Sequence, residues 1–159
     1  MLRFRLKMSG WNAWDSSTLW SLALIALTIM IHAVGVVLIV LTLERFRARL
    51  APVGRLLLVS SLVAIGLIVG VAVTLVVLHG IECVAWAIVY VKLGALPSPA
   101  DALLYSVDSM TTRGSAGLYL ERQWRMMGAL ESGDGMLLFG VSTASLFYLM
   151  QRLWKSEAL

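Results

Sequence analysis

Two long apolar stretches dominate the chain, and a shorter one follows near its end. They cover residues 19–43, 56–96 and 136–150, and the third starts after a glycine-rich lead-in. A helix needs about 20 mostly apolar residues to cross the hydrocarbon core of a bilayer. The pattern therefore predicts an all-α membrane protein with spanning helices at residues 19–43, 56–96 and 133–154.

The second stretch is longer than a single crossing needs. As one helix, residues 56–96 would extend roughly 60 Å against a core of about 30 Å. Two crossings divided at His79 and Gly80 would leave almost no turn between them. We therefore expect one long helix, bent near Gly80.

A short helix with a clear start precedes the third stretch. Ser98 is followed by Pro99 and, three positions after the serine, by Asp101, which is typical of a capped helix start. The helix at residues 99–111 has room for only about 12 residues, too few to span a bilayer. In a membrane it would have to enter and return on the same side, sheltered by protein.

Composition and charge agree with a membrane protein and predict its orientation. Hydrophobic residues make up 60% of the chain and charged residues 14%, and the mean hydropathy is +0.87. The net charge of +4 comes from basic residues beside apolar stretches, so we expect no nucleic-acid partner. The arginine-rich loop at residues 44–55 is predicted to be cytoplasmic. Three crossings then place the C-terminus in the cytoplasm and residues 1–18 outside, along the lipid interface of the plasma (cell inner) membrane.

The segment after the short helix resembles a known motif. Its sequence, SVDSMTTRGSAG, is similar to the pore helix and selectivity filter of the potassium channel superfamily, whose usual filter is close to TxTTVGYGD. The resemblance continues into the return loop and inner helix of small bacterial members and covers residues 79–152. It implies a homotetrameric cation channel, not an enzyme, whose only ligand is a permeant cation such as K⁺. Residues 56–159 would form the pore module, and residues 19–43 an extra helix.

The resemblance also assigns the filter residues. They are Thr111, Thr112, Arg113, Gly114, Ser115, Ala116 and Gly117. Arg113, Ser115 and Ala116 replace the family's valine, tyrosine and second glycine, so we expect a weakly selective cation pathway. Asp108 lies five residues before Arg113, and an ion pair between them is predicted to support the filter.

Several residues outside the filter are further candidates for a functional or structural role. Glu82 lies in the long apolar helix, three residues after His79, and this pair is a candidate intramembrane proton or cation site or a structural contact. His32 stands alone in the first helix and is expected to be structural. His79, Glu82 and Cys83 lack the spacing of a defined zinc motif, so no metal is expected. Gly140 is a candidate gating hinge or a point of close helix packing.

Three other functions are compatible with the sequence. A proton-coupled transporter would use Glu82 beside Trp86, but it would not need a capped short helix. An intramembrane serine hydrolase would use Ser115 with His32 or His79 as the base. A non-conducting channel relative would keep the fold and have lost the filter.

Overall fold

The computed structural model describes residues 16–50, 61–114 and 117–155, and within these ranges the regular structure is helical throughout. The predictions for residues 1–15, for Arg55 and the rest of 51–60, and for Ser115 and Ala116 lie outside these ranges. Within the described ranges a 3₁₀ turn precedes the last of four α-helices. The helices are α1 (Ser16–Leu50), α2 (Ser61–Lys92), α3 (Pro99–Met110) and α4 (Arg125–Lys155), and the turn is Arg122–Trp124.

Three of the helices are long and apolar enough to cross a membrane, as the sequence predicts. The candidate spans are Ser16–Phe46, Leu62–Lys92 and Arg122–Arg152, each of 31 residues. Large apolar side chains cover their outer surfaces, and Leu62 is 80% exposed and Val76 70% exposed. Such surfaces suit a lipid environment, and the three candidate spans are consistent with a multi-pass membrane protein. The second span is one continuous helix through Gly80.

The last helix begins eight residues before the predicted start at residue 133. The sequence pattern predicts a glycine-rich lead-in at Gly133 and Gly135, in the segment ALESGDG, and glycine is a poor helix former. In the structure Glu131 and Asp134 of this segment accept hydrogen bonds from neighbouring helices, and Gly135 lets the end of α3 approach. Tertiary contacts therefore outweigh local propensity here.

The other helix boundaries differ less from the predicted ones. Helix α1 extends past residue 43 to Leu50, into the basic segment predicted as a loop. Helix α3 begins at Pro99 as predicted and ends at Met110, so Thr111 is its C-cap and not its last residue.

Side-chain contacts give the direction of each long helix. Thr28 contacts Asp134 and Glu44 contacts Arg152, so α1 and α4 run parallel. His32 contacts Glu82, while Gly35 lies against Leu78, so α2 runs antiparallel to α1. The Glu44 and Arg152 ends of α1 and α4 therefore lie at the same end of the bundle.

Much of the buried apolar core surrounds α3, which lies against both α2 and α4. Trp86, Tyr90, Met110 and Met127 are fully buried there, and the rings of Tyr90 and Tyr105 meet edge to face at 5.4 Å. A β-carbon on Gly135 would lie 2.8 Å from the Met110 Cα, so only glycine permits this approach of α4 to the end of α3. The C-terminal end of α3 is thus held against the interior of the long helices.

Candidate functional site

Helix α3 ends in the loop that the sequence assigns to the filter. At its start, the backbone N–H of Asp101 donates to the Ser98 hydroxyl, as the predicted cap requires. At its end, the N–H and hydroxyl of Thr111 both donate to the Val107 carbonyl. The Cys83 thiol contacts the Met110 sulfur at 3.5 Å, which joins this end of α3 to the interior of α2.

The loop after α3 uses backbone conformations that L-residues rarely adopt. Thr112, Gly114 and Gly117 have φ angles of 56°, 83° and 85°. Glycine adopts these angles freely, whereas the β-branched Thr112 stores about 1–2 kcal/mol of strain there. The N–H of Thr112 donates to the Ser109 carbonyl, which helps to hold this turn.

The predicted ion pair between Asp108 and Arg113 is confirmed. Arg113 Nε donates to Asp108 Oδ1 at 3.0 Å, and Nη2 donates to Oδ2 at 3.3 Å. The Asp108 side chain is 1% exposed, whereas that of Arg113 is 62% exposed. The N–H of Arg113 also donates to the Asp108 carbonyl. The pair therefore fastens the loop to α3 by its backbone and by its side chains.

Glu131 on α4 joins three helices beneath this loop. It accepts a hydrogen bond of 2.5 Å from the Ser106 hydroxyl on α3 and one of 2.6 Å from the Tyr90 hydroxyl on α2. All three side chains are fully buried. Glu131 therefore sets the position of α3 between α2 and α4.

Asp134 makes a similar connection to α1. Its Oδ2 accepts from the Thr28 hydroxyl at 2.6 Å and from the indole N–H of Trp86 at 3.3 Å. The other oxygen, Oδ1, has no hydrogen-bond partner within the described part of the chain. The face that the sequence gives to His79, Glu82 and Trp86 thus points towards α1 and α4.

Four buried side chains from three helices form a closed loop of polar contacts, here called the polar quartet. Its members are His32 from α1, His79 and Glu82 from α2, and Ser142 from α4. The Nδ1 atoms of His32 and His79 lie 2.8 and 2.9 Å from the two oxygens of Glu82. Their Nε2 atoms lie 3.2 and 3.0 Å from the Ser142 hydroxyl. His32, expected to stand alone, is therefore part of the polar site predicted at His79 and Glu82.

The polar quartet contains residue types that occur in metal sites and in hydrolase triads. Donor atoms of His32, His79 and Glu82 lie within 4.8 Å of one another. However, the nitrogen–oxygen distances are those of hydrogen bonds, and tetrahedral zinc would separate its ligand atoms by about 3.3 Å. Ser142, His79 and Glu82 are in contact like a serine triad, but Ser142 is only 6% exposed and also contacts His32. The arrangement is best described as a hydrogen-bonded loop.

Sequence reasoning missed Glu131, Asp134 and Ser142. Two of them are ionisable residues within a candidate span, a signal that points to a functional or structural site in a membrane. Because the last helix is predicted to start at residue 133, Glu131 is placed outside the membrane span and is not recognised as an intramembrane acid. Gly140 lies within the continuous α4, and a β-carbon there meets no atom within 4 Å in the described ranges. Close packing within the chain is therefore not the reason for this glycine.

Comparison with known proteins adds no relative. No protein-family model matches the chain, and no curated protein or solved structure is significantly similar to it.

Proposed function

We propose that the chain is the subunit of a homotetrameric pore-loop cation channel in the plasma membrane, with weak selectivity among monovalent cations. The observation that carries this proposal is the position of α3, whose C-terminal end contacts Cys83 on α2 and Gly135 on α4. Cys83 lies nine residues before the end of α2, and Gly135 lies ten residues after the start of α4. At 1.5 Å per residue these positions are about 14 and 15 Å along their helices, near the middle of a 30 Å core.

A helix that stops at this depth suits a re-entrant segment. Helix α2 ends at Lys92, α3 then enters the proposed membrane core, and the loop after α3 returns to the same side, where α4 begins at Arg125. Non-helical backbone at membrane depth is tolerated where it is buried in protein or lines a water-filled path. The described residues of this loop, 111–114 and 117, are exposed, so we assign the loop to such a path.

The chemistry at the end of α3 favours cations. The aligned peptide dipoles of a helix give its C-terminus a partial negative charge, and α3 directs this end towards the proposed path. Residues with positive φ angles in the loop allow successive backbone carbonyls to point towards one axis, as a ring of ion ligands requires. One chain supplies one such loop, and four copies around an axis would complete the ring.

Arg113 fits weak selectivity better than a strict potassium filter. Four arginines near one axis would repel cations, and the ion pair with Asp108 offsets this charge at short range. The sequence resemblance to the potassium channel superfamily agrees with the architecture, whereas Arg113, Ser115 and Ala116 depart from its filter.

Thiol block in proteoliposomes tests the proposal. Thr112→Cys should conduct potassium, and a membrane-impermeant charged thiol reagent should abolish that flux, because the four modified side chains meet in one path. Gln123→Cys, exposed in the 3₁₀ turn, is the matched control and should be labelled without block. A labelled Thr112→Cys variant with undiminished flux, or a wild type that passes no cation, would contradict the proposal.

A further inference from the structure

The four side chains of the polar quartet form a closed ring of contacts, and this ring limits how their protons can be arranged. Each histidine contacts Glu82 through Nδ1 and Ser142 through Nε2. The carboxylate provides both oxygens, and the hydroxyl contacts both imidazoles. Four side chains are therefore joined by four contacts of 2.8 to 3.2 Å, each of which needs one proton to be a hydrogen bond.

Counting the available protons shows that one is missing from the ordinary charge states. A neutral imidazole supplies one N–H, and a serine supplies one O–H, while an ionised carboxylate supplies none. Two neutral histidines and Ser142 thus give three protons for four contacts. With three protons, two lone pairs face each other at one contact and repel.

A fourth proton removes this conflict. It can lie on Glu82, which then donates to one imidazole, or it can make one imidazole doubly protonated beside an ionised Glu82. Either arrangement fills all four contacts and leaves the quartet with no net charge. The state with three protons carries one negative charge in a buried site, which is costly in a membrane.

The groups around the quartet also disfavour the negatively charged state. Asp134 on α4 lies close enough to interact electrostatically with Glu82 and His32, and an ionised Asp134 would repel a negative charge on the quartet. Cys83, next to Glu82 on α2, is a neutral thiol and adds no charge. The ring of Phe139 stacks on His79 with centroids 4.2 Å apart and covers it with apolar surface. Glu131 lies three residues before Asp134 on α4 and interacts with it electrostatically.

We propose that the polar quartet is a proton-binding site, in which one proton is shared among Glu82, His32 and His79 and fastens α1 to α2 and α4. The ligand is the proton itself, taken up without any bond change in the protein beyond N–H or O–H formation. The site belongs to α1, α2 and α4, and it does not depend on ion conduction. It goes beyond the proposed function because it gives α1, outside the pore module, a pH-dependent attachment.

Two measurements on full-length protein in nanodiscs determine whether the quartet holds the fourth proton. Nitrogen NMR of labelled histidine reports how many imidazole nitrogens are protonated, and infrared spectroscopy reports whether Glu82 is ionised, with Glu82→Gln to assign its band. We expect either a neutral Glu82 with two neutral imidazoles or an ionised Glu82 with one doubly protonated imidazole. An ionised Glu82 beside two neutral imidazoles would overturn the proposal.

Glu82→Gln should keep all four contacts hydrogen-bonded at every pH, as in the four-proton state of the wild type. A glutamine amide donates to one imidazole and accepts from the other, so every contact is filled with neutral groups. When the pH is high enough for the wild type to release this proton, the amide hydrogen-exchange rate of α1, corrected for the intrinsic rate, should increase. For the release of a single proton the increase approaches about tenfold per pH unit. In Glu82→Gln the exchange of α1 should keep the slow value that the wild type has at low pH, after correction for the intrinsic rate.

Ser142→Ala and Ser145→Ala separate the quartet from general helix effects. Without the Ser142 hydroxyl only two contacts remain, and two protons fill them, so proton release should move to lower pH. Ser145 lies on the same helix and donates to the Val141 carbonyl, so its alanine variant should match the wild type. Unchanged exchange of α1 after measured proton release, or equal release in Ser142→Ala and wild type, would contradict the proposal.

Discussion

At the scale of single residues, the buried acidic side chains obtain their partners from other helices or from the next turn of chain. Sequence spacing was enough to predict the Asp108–Arg113 pair, because both residues lie within one helix end and its loop. Spacing along α2 likewise placed His79 beside Glu82. The contacts of His32 and Ser142 span 50 to 110 positions, and no local pattern in one sequence reveals such pairs. The sequence therefore predicts the His79–Glu82 half of the polar site, but not the contacts of His32 and Ser142.

Replacement of Asp108 tests the role of its ion pair. Asp108→Asn leaves Arg113 without a charged partner, so we expect lower cation conductance, by on the order of tenfold, and a stability loss of about 1 kcal/mol because Arg113 is largely exposed. Asp101→Asn changes the same charge in the first turn of the same helix and is the control. Single-channel conductance and thermal unfolding in detergent measure both effects. Unchanged conductance in Asp108→Asn would refute the proposed role of the pair.

Glu131 offers a test of the helix junction. Glu131→Ala leaves the buried hydroxyls of Tyr90 and Ser106 without their acceptor, at about 1–3 kcal/mol for each. We expect a stability loss of about 2–4 kcal/mol, and roughly half of that in Glu131→Gln, which keeps one acceptor oxygen. Thermal unfolding in detergent is the measurement, and the exposed Glu121→Ala is the control. An alanine variant as stable as the wild type would contradict the junction role.

At the scale of helices, the sequence predicted three spans and one short capped helix, and it misjudged where the last helix begins. Apolar length and the Ser98–Pro99 start are local signals, so they were readable. The first turns of α4 are polar and rich in glycine, and their helical state depends on Tyr90, Ser106 and the approach of α3. Such contacts exist only after the helices have packed.

A pair of glycine variants tests the contact between α3 and α4. A β-carbon on Gly135 would meet the Met110 backbone, with the Cα at 2.8 Å, so Gly135→Ala must displace one of the two helices. We expect a stability loss above about 2 kcal/mol, in the range of overpacked cores, and loss of cation flux. In Gly133→Ala the added β-carbon meets no atom of the described residues within 4 Å, so this variant should gain about 0.5–1 kcal/mol from helix propensity. Equal stability of the two variants would contradict the close contact.

At the scale of the whole molecule, the three long helices give the chain two distinct ends. Glu44 pairs with Arg152, so the basic end of α1 and the C-terminal end of α4 lie together. Arginines beside apolar spans favour the cytoplasm, and we infer that this end is the cytoplasmic one. The loop after α3 would then open towards the outside.

Cysteine labelling in intact cells tests this orientation. Arg49→Cys should react with a membrane-impermeant thiol reagent only after the membrane is permeabilised, because the positive-inside rule places it in the cytoplasm. Gln123→Cys, which follows the proposed pore loop, should react without permeabilisation. The opposite labelling pattern would reverse the topology and place the loop at the cytoplasmic face.

The reversal potential under a gradient of potassium and sodium tests the channel proposal most directly. Purified protein in planar bilayers, with potassium on one side and sodium on the other, should pass both cations and reverse within a few tens of millivolts of zero, because Arg113 and the altered filter residues leave few defined carbonyl rings. Chloride substitution should not move the reversal potential. A current that excludes sodium strongly would contradict weak selectivity, and the absence of any cation current would contradict the channel itself.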